Sequence, residues 1–243
     1  MSPAEELIAR LRATDAEAIV LIGHRAAVAD ALASDGRRVL RIGGPGVCET
    51  APSIAINHGT LVREAFRRAF AAGHRRVCMP LRFRKPEMIP VIRGWIAATY
   101  AEAGLSHSPA FDAPVIESAS PDAMRDCIRG LCRHTPPGCF VMSDHRHWLV
   151  VFTLLASLRL RVPEDVSTIL LDASQDMNRS FPSQAHFRHP LEAFLPEIRR
   201  ILRRRDRGVG LPAVPVDPKW VPGVSLGPPV RRVGASVDGA QSE

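Results

Sequence analysis

Several features are scarce in this 243-residue chain, and each absence disfavours a class of protein. The five cysteines are odd in number and none lies in a CxxC pair, which disfavours a disulfide framework and a structural zinc site. No apolar run reaches the roughly 18 to 20 residues of a membrane-spanning helix. The first residues lack the regions of a secretory signal. The sequence therefore predicts a cytoplasmic protein with cysteines that serve as small buried hydrophobic residues.

Lysine is also scarce, because Lys85 and Lys219 are the only two and arginine supplies most of the net charge of +7. Such a surplus favours nucleic acid electrostatically, and it equally fits an arginine-rich composition spread over solvated helix faces. The densest cluster, within residues 199–207, has no interleaved aromatic residues to stack on bases. The second interpretation is therefore preferred.

The sequence contains no nucleophile elbow, phosphate-binding glycine loop, HExxH motif or paired carboxylates at a useful spacing. His145 and His147 flank Arg146, but residues two apart on a helix do not share a face, and a third metal ligand is not evident. We expect these histidines to be solvated or to join a helix cap. The sequence thus predicts a protein that is not an enzyme and uses neither a cofactor nor a metal.

Short runs rich in Val, Ile and Leu alternate with segments of helical period, which is typical of parallel strands joined by crossover helices. The predicted strands cover residues 18–23, 38–42, 53–57, 76–81, 115–117, 139–142, 166–171 and 185–188. The predicted helices cover 26–33, 61–73, a segment from Pro86 or Pro90 to Gly104, 120–131, 148–158 and 191–205, the last kinked by Pro196. Residues 212–222 look extended, and the composition of 225–243 predicts disorder.

Two segments resemble hallmarks of the lactose/galactose-repressor family, LacI/GalR. Residues 73–77, GHRRV, resemble the family's GHRRI, and residues 158–167, LRLRVPEDVS, resemble its GLRVPEDVSV. Weaker resemblances stand in the same order along the chain from about residue 5 to 229, at 94–105, 139–144, 169–172, 182–189 and 220–225. These segments are similar to scaffold elements of the family.

The resemblance implies an α/β fold of the periplasmic-binding-protein type I class. Two lobes of parallel sheet with flanking helices, joined by three crossovers, would hold a small-molecule effector in the cleft between them. The lobes would be residues 1–56 with 189–211 and residues 57–186 with 212–229, with crossovers near 54–58, 185–189 and 211–215. Residues 230–243 would form a disordered tail.

The family consists of transcriptional regulators, commonly dimeric repressors, so the resemblance implies a ligand-sensing module that controls DNA binding. The chain enters at the second helix of the first lobe. We therefore expect that lobe to be incomplete and DNA to be bound through a domain missing from this chain. Two alternatives remain open: an orphan interaction protein that has lost both binding functions, and a solute-binding protein of the same fold.

Six residues are candidates for effector binding because the resemblance, or their position after a strand, puts them near the cleft. Ser143 stands where the family has asparagine and Val91 where many members have a sugar-binding arginine, so a standard hexose is not expected. Asp172 is either a ligand contact or a loop-capping carboxylate, and Asp144 is a ligand contact or a helix cap. Trp148 lines the cleft or belongs to the core. Arg82, together with Arg84 and Lys85, either binds an anionic effector at the mouth of the cleft or lies in a solvated loop.

Overall fold

The short apolar runs of the sequence form parallel strands, and the segments between them form helices, in a computed structural model. The structure describes residues 2–43, 47–82, 87–116, 120–134, 136–172, 177, 179–203 and 214–229. Its helices are α1 (Pro3–Arg12), α2 (Ala26–Ser34), α3 (His58–Ala71), α4 (Met88–Glu102), α5 (Pro109–Asp112), α6 (Pro121–His134), α7 (His145–Ser157) and α8 (Leu191–Arg203).

The strands follow the predicted apolar runs closely at most positions. They are β1 (Ile19–Ile22), β2 (Val39–Ile42), β3 (Ser53–Ile56), β4 (Val77–Cys78), β5 (Leu81–Arg82), β6 (Val115–Ile116), β7 (Cys139–Met142), β8 (Ser167–Leu170), β9 (Ala185–Arg188), β10 (Val214–Val216) and β11 (Lys219–Val221). The chain divides into a first unit, Met1–Leu61 with Arg188–Lys219, and a second unit, Val62–Phe187 with Trp220–Glu243.

The first unit is built on a four-stranded sheet in the order β1–β2–β3–β10, and each neighbouring pair of strands is parallel. Side chains of β1 alternate between the two faces, so that Ile19 and Leu21 are buried while Val20 and Ile22 are exposed. The buried pair packs with apolar residues of α1 and α2 in one cluster. A second cluster joins β2, β3 and β10 to Phe194 of α8.

The second unit contains a five-stranded sheet in the order β11–β9–β8–β7–β4 and a two-stranded sheet of β5 and β6. The pairs β4–β7, β7–β8, β8–β9 and β5–β6 are parallel. All four residues of β7 are buried, as expected of a strand that is covered on both faces. Its Phe140 and Met142 lie in one core cluster with Ile128 of α6 and Leu155 of α7.

The strand predicted over residues 76–81 is in fact two strands. β4 pairs with β7, whereas β5 pairs with β6, and the change of partner occurs at Met79 and Pro80. The Met79 backbone N–H donates to the Asp112 carbonyl at 2.8 Å, which already directs this stretch away from β7. Because proline has no N–H to donate, Pro80 cannot continue the ladder.

Two expectations for the C-terminal region differ from the structure. Val214–Val216 lies in the sheet of the first unit because it pairs with β3, so the chain passes to the second unit after Lys219 and not near 211–215. Disorder from residue 225 was wrong for 225–229, since Ser225 is fully buried and its backbone N–H donates to the Ser183 carbonyl at 3.1 Å. The predicted tail, 230–243, lies outside the described residues, as do 84, 85, 204–213 and the Glu117 end of the predicted strand.

The helices that the structure describes include none long and apolar enough to cross a membrane. All five cysteines are free thiols, and two of them, Cys78 and Cys139, are buried. Burial raises the pKa of the Cys139 thiol, which keeps it protonated. The prediction that the cysteines are small buried hydrophobic residues is confirmed for these two, while Cys48, Cys127 and Cys132 are half-buried.

Candidate functional site

Three of the predicted effector-binding residues follow neighbouring strands of the second unit. Ser143 and Asp144 come directly after β7, and Asp172 comes two residues after the end of β8. The two strands are parallel, with Met142 opposite Leu170, and the Leu171 N–H donates to the Met142 carbonyl at 2.8 Å. The three residues therefore lie at the carboxyl ends of the strands, a side of the sheet that we call the polar edge. Ligands of open α/β sheets bind at such carboxyl ends.

Asp144 is the N-cap of α7. Its backbone is extended at φ −152° and ψ 170°, and its Oδ1 accepts the backbone N–H groups of Arg146 at 2.9 Å and His147 at 3.1 Å. Helices leave their first N–H groups without a partner in the helix, so a carboxylate at this position stabilises the first turn. The helix-cap interpretation of Asp144 is confirmed.

His147 is the residue of this site that sequence reasoning underrated. Its side chain is buried, and its Nδ1 forms a short hydrogen bond with the Ser143 hydroxyl and lies 3.8 Å from Asp144 Oδ2. The signal was available in the sequence, because His147 comes three residues after the predicted cap Asp144, where the side chain of an N-cap residue meets the first turn of the helix. The expectation of a cap-associated histidine holds for His147, while His145 is exposed.

Ser143, His147 and Asp144 are the residue types of a catalytic triad, but their arrangement differs from one. In a triad the nucleophile and the carboxylate contact opposite ring nitrogens, so that a proton can pass through the imidazole. Here both oxygens approach Nδ1. The Asp144 carboxylate also accepts two backbone N–H groups of α7, so the group has the geometry of a helix start and not that of a catalytic triad.

Trp148 is tied to a buried polar network. Its Nε1–H donates to Gln184 Oε1 at 2.8 Å, and its ring stacks on Phe152 with 5.0 Å between the centroids. Gln184 Oε1 also accepts the Thr168 hydroxyl at 3.0 Å, and its Nε2 donates to the carbonyls of Thr168 and Ala185 at 3.0 and 2.9 Å. Trp148 is half-buried and packs against the core, so its one polar atom serves the fold.

The role of Gln184 was not predicted from the sequence, because its hydrogen-bond partners are distant along the chain and no local sequence pattern indicates them. The backbone of Gln184 is held as well, because its N–H donates to the Ser180 hydroxyl at 3.1 Å. The residue thereby joins β8, the start of β9 and α7 behind the polar edge. This network fixes the position of Trp148 relative to both strands.

The two remaining candidates belong to other elements of the second unit. Arg82 ends β5, which belongs to the two-stranded sheet, and Val91 lies in the first turns of α4 with 42% of its surface exposed. Within the residues that the structure describes, no hydrogen bond links either of them to Ser143, Asp144 or Trp148. The exposed Asp172 does make an interaction of its own. Among those same residues no group of three or more potential metal ligands occurs.

Comparison with known proteins places this geometry in a common fold. No protein-family model and no curated protein sequence matches the chain. Among solved structures, a LacI family transcriptional regulator from Enterococcus faecium with bound ribose is similar at a TM-score of 0.74 and 12% identity, over 93% of this chain and 85% of that one. The chain has the fold of LacI-family regulators.

Two further structures support the same assignment of fold. The transcriptional regulator CelR in complex with cellobiose matches at a TM-score of 0.73 and 20% identity, over 91% of this chain and 69% of its own. Transcription regulator CcpA of Lactococcus lactis matches at 0.73 and 14%, over 91% and 82%. The predicted α/β fold of the periplasmic-binding-protein type is therefore confirmed, and the likeness at these identities concerns the fold.

The hallmark segments have structural roles within this LacI-regulator fold. Gly73 ends α3 with φ +99°, a conformation that suits glycine, and His74 is buried behind it. In the second segment the Asp165 carboxylate accepts the backbone N–H of Arg161 at 2.9 Å and its guanidinium at 3.0 Å, and that ion pair lowers the pKa of Asp165. These residues shape the turns that enter β4 and β8, away from the polar edge.

Proposed function

We propose that this chain is the ligand-sensing part of a transcriptional regulator of the lactose/galactose-repressor family and that it binds a small-molecule effector, a sugar or a related metabolite. The observation that carries the proposal is the polar edge, where Ser143, Asp144 and Asp172 end two adjacent parallel strands. The motif segments and the bound sugars of two structural neighbours support it.

In this proposal the effector lies in a cleft between two lobes, which correspond to the first unit and the second unit. The regulator acts in the cytoplasm as a homodimeric repressor, and DNA is bound by a domain joined to this module. Effector binding changes the DNA affinity because the ligand prefers one of two states of the dimer.

Binding is preferred over catalysis because of how the serine, histidine and aspartate meet. Ser143 and Asp144 both approach Nδ1 of His147, so the imidazole does not bridge the hydroxyl and the carboxylate through opposite ring nitrogens as in a triad. Asp144 Oδ1 is further committed to two backbone N–H groups. We therefore propose that the polar edge holds a ligand without transforming it.

One observation favours a second candidate, an orphan interaction protein without an effector. Polar atoms of three candidates already form hydrogen bonds within the chain, those of Ser143, Asp144 and Trp148. In addition, Val91 stands where many members of the family have a sugar-binding arginine. On this alternative the polar edge is a structural support for α7. The two candidates differ in whether any small molecule stabilises the folded chain.

The test is a thermal-shift screen followed by calorimetry on the full chain, with ribose, cellobiose, sugar phosphates and purines as probes. A ligand that binds only the folded state must raise the melting temperature. We expect at least one probe class to do so and Asp172→Asn to abolish the shift. Glu164→Gln is the matched control, because Glu164 is an exposed carboxylate before the amino end of β8. A flat response in all classes would favour the orphan protein.

A further inference from the structure

A cavity of about 500 Å³ lies at the opposite end of the second unit's sheet from the polar edge. Arg75 and Arg76, which directly precede β4, form one side, and residues 105–108 with Phe111 form the other. Because β4 and β7 are parallel, residues before β4 lie at the amino ends of the strands, and residues after β7 lie at their carboxyl ends. We call this cavity the distal pocket. Its volume is in the range of small-molecule sites.

The walls of the distal pocket are held in place by hydrogen bonds from several elements. The Asp112 carboxylate accepts the Ser108 N–H at 2.7 Å and contacts His107 Nδ1 at 3.2 Å. The Asp112 carbonyl accepts the Met79 N–H at 2.8 Å, and the Arg93 guanidinium donates to the Ala113 carbonyl at 2.9 and 3.1 Å. A site built this way loses little conformational entropy when a ligand binds.

The distal pocket carries an excess of positive charge. Arg75 is exposed and makes no hydrogen bond or ion pair to any part of the chain that the structure describes, and Arg76 has one long hydrogen bond, 3.5 Å to the Pro136 carbonyl. Asp112 is the single carboxylate among the described lining residues, and it is 5% exposed with its Oδ2 engaged by Ser108 and His107. The two guanidinium groups outnumber this carboxylate, so the lining has a net positive charge.

Neutral donors and an apolar surface complete the lining. Ser108 stands at the N-cap position of α5 but its hydroxyl makes no cap hydrogen bond, and Ser106 is exposed beside it. Phe111 keeps 43% of its surface exposed although the segment that bears it is fixed. An exposed aromatic ring on a rigid wall offers a contact for an apolar or ring-shaped part of a ligand.

We propose that the distal pocket is a second binding site, for a small phosphate monoester with an apolar or ring-shaped substituent. A carboxylate has two oxygens in one plane, which a single guanidinium fork can bind in a bidentate manner. A phosphate monoester has three terminal oxygens and a charge of roughly −1.5 to −2, which matches two guanidinium groups and nearby hydroxyls. This site does not depend on the proposed effector site and lies at the other edge of the sheet.

The test uses calorimetric titration of the full chain with phenyl phosphate, compared with benzoate and phenol. We expect saturable binding of phenyl phosphate and weaker binding of the other two. Arg75→Gln should weaken phenyl phosphate by about tenfold, and Arg75→Gln with Arg76→Gln should weaken it further, since each removes a charge-assisted contact. Phe111→Ser should weaken phenyl phosphate and leave inorganic phosphate unchanged.

Two controls keep the result specific. Arg10→Gln removes the same charge from an exposed residue of α1 in the first unit and should leave the affinity unchanged, as should Asp172→Asn at the polar edge. Arg75 is exposed, so its variant should keep the melting temperature of the parent chain. The proposal would be overturned by equal losses in Arg10→Gln and Arg75→Gln, by benzoate binding as tightly as phenyl phosphate, or by no saturable binding.

Discussion

His74 Nε2 lies 2.9 Å from the carbonyl oxygen of Gly227, and both residues belong to the second unit. The same carbonyl accepts the Ser167 hydroxyl at 3.2 Å, and the Gly227 N–H donates back to that hydroxyl at 3.1 Å. Through these contacts His74, the histidine of the GHRRV segment, and Ser167 at the start of β8 both bind the backbone of Gly227. An imidazole in this position must remain neutral to avoid an uncompensated buried charge.

Stability should therefore fall at mildly acidic pH. Burial lowers the pKa of His74 from 6.5, against the hydrogen bond to Gly227, which acts to raise it. The unfolded chain then binds a proton more readily than the folded chain, so the contribution is fully present above the unfolded pKa and is lost as the pH falls through the folded pKa. The loss is at most about 1.4 kcal/mol per pH unit.

Urea unfolding at about pH 7.5 and about pH 5.5 measures this effect. His74→Gln should be less stable than the parent at the higher pH and should lose less free energy of unfolding between the two values. His24→Gln, a change at an exposed histidine, should keep the parent's pH dependence. Identical pH dependence in the parent and His74→Gln would contradict the buried neutral imidazole.

Two glycines should respond to alanine in opposite directions. A Cβ at residue 223 would lie 2.4 Å from the backbone nitrogen of Ala185 and 2.4 Å from the carbonyl carbon of Gln184, so Gly223→Ala must displace backbone. We expect a loss of about 3 kcal/mol in the free energy of unfolding. At Gly94 in α4 a Cβ meets nothing within 4 Å, and Gly94→Ala should stabilise the chain by up to about 1 kcal/mol.

Thermal and urea unfolding of both variants provide the measurement. Because the two changes add the same methyl group, each serves as the control for the other. A neutral result at Gly223 would mean that the segment after β11 does not lie against the start of β9. Destabilisation at Gly94 would mean that a neighbour occupies the space beside α4.

The sequence predicted the strands well where burial is continuous and poorly where tertiary contacts decide. β7 and β8 coincide with apolar runs because each is buried along its whole length. The run through Met79 and Pro80 looks like one strand in the sequence, whereas in the structure its first part pairs with β7 and its last part with β6. Ser225 stands in a Gly- and Pro-containing stretch that suggests disorder, yet its hydroxyl donates to the Thr168 carbonyl at 2.8 Å.

The candidate site shows the same division. Asp144 could be recognised as a cap because its partners are two and three residues ahead. Gln184 could not be recognised, since its partner Trp148 is 36 residues away. The distal pocket was not predicted for a related reason: Arg75 and Arg76 belong to a segment that resembles a scaffold motif, while Phe111 lies in the distant short helix α5.

Gln184→Leu should destabilise the second unit by about 3 kcal/mol. The change keeps an apolar side chain in the space but removes the hydrogen bonds that Gln184 makes with Trp148 Nε1–H, the Thr168 hydroxyl and two backbone carbonyls. The Thr168 carbonyl keeps its hydrogen bond with the Ser225 hydroxyl. Trp148→Phe removes one of these hydrogen bonds and should cost about 1 kcal/mol. Urea unfolding followed by tryptophan fluorescence ranks the variants. A smaller loss in Gln184→Leu than in Trp148→Phe would show that the network contributes little.

The outer edge of β1 should promote self-association. Among the strands that the structure describes, β1 pairs with β2 alone. The N–H groups of Ile19 and Gly23 donate to the carbonyls of Arg38 and Ile42 at 2.8 and 2.9 Å, on the side of β2. The alternate N–H groups of Val20 and Ile22 therefore point to the open edge.

Ile22 is also 72% exposed, and an apolar strand with an open edge is a template for pairing with another chain. Ile22→Lys should therefore raise the concentration at which the protein associates, because a charged side chain on an edge opposes strand pairing. Light scattering over a concentration series measures this, with Val47→Lys as the control, since Val47 is 82% exposed and outside any strand. If Val47→Lys reduced association as strongly as Ile22→Lys, the added charge alone and not the strand edge would be responsible.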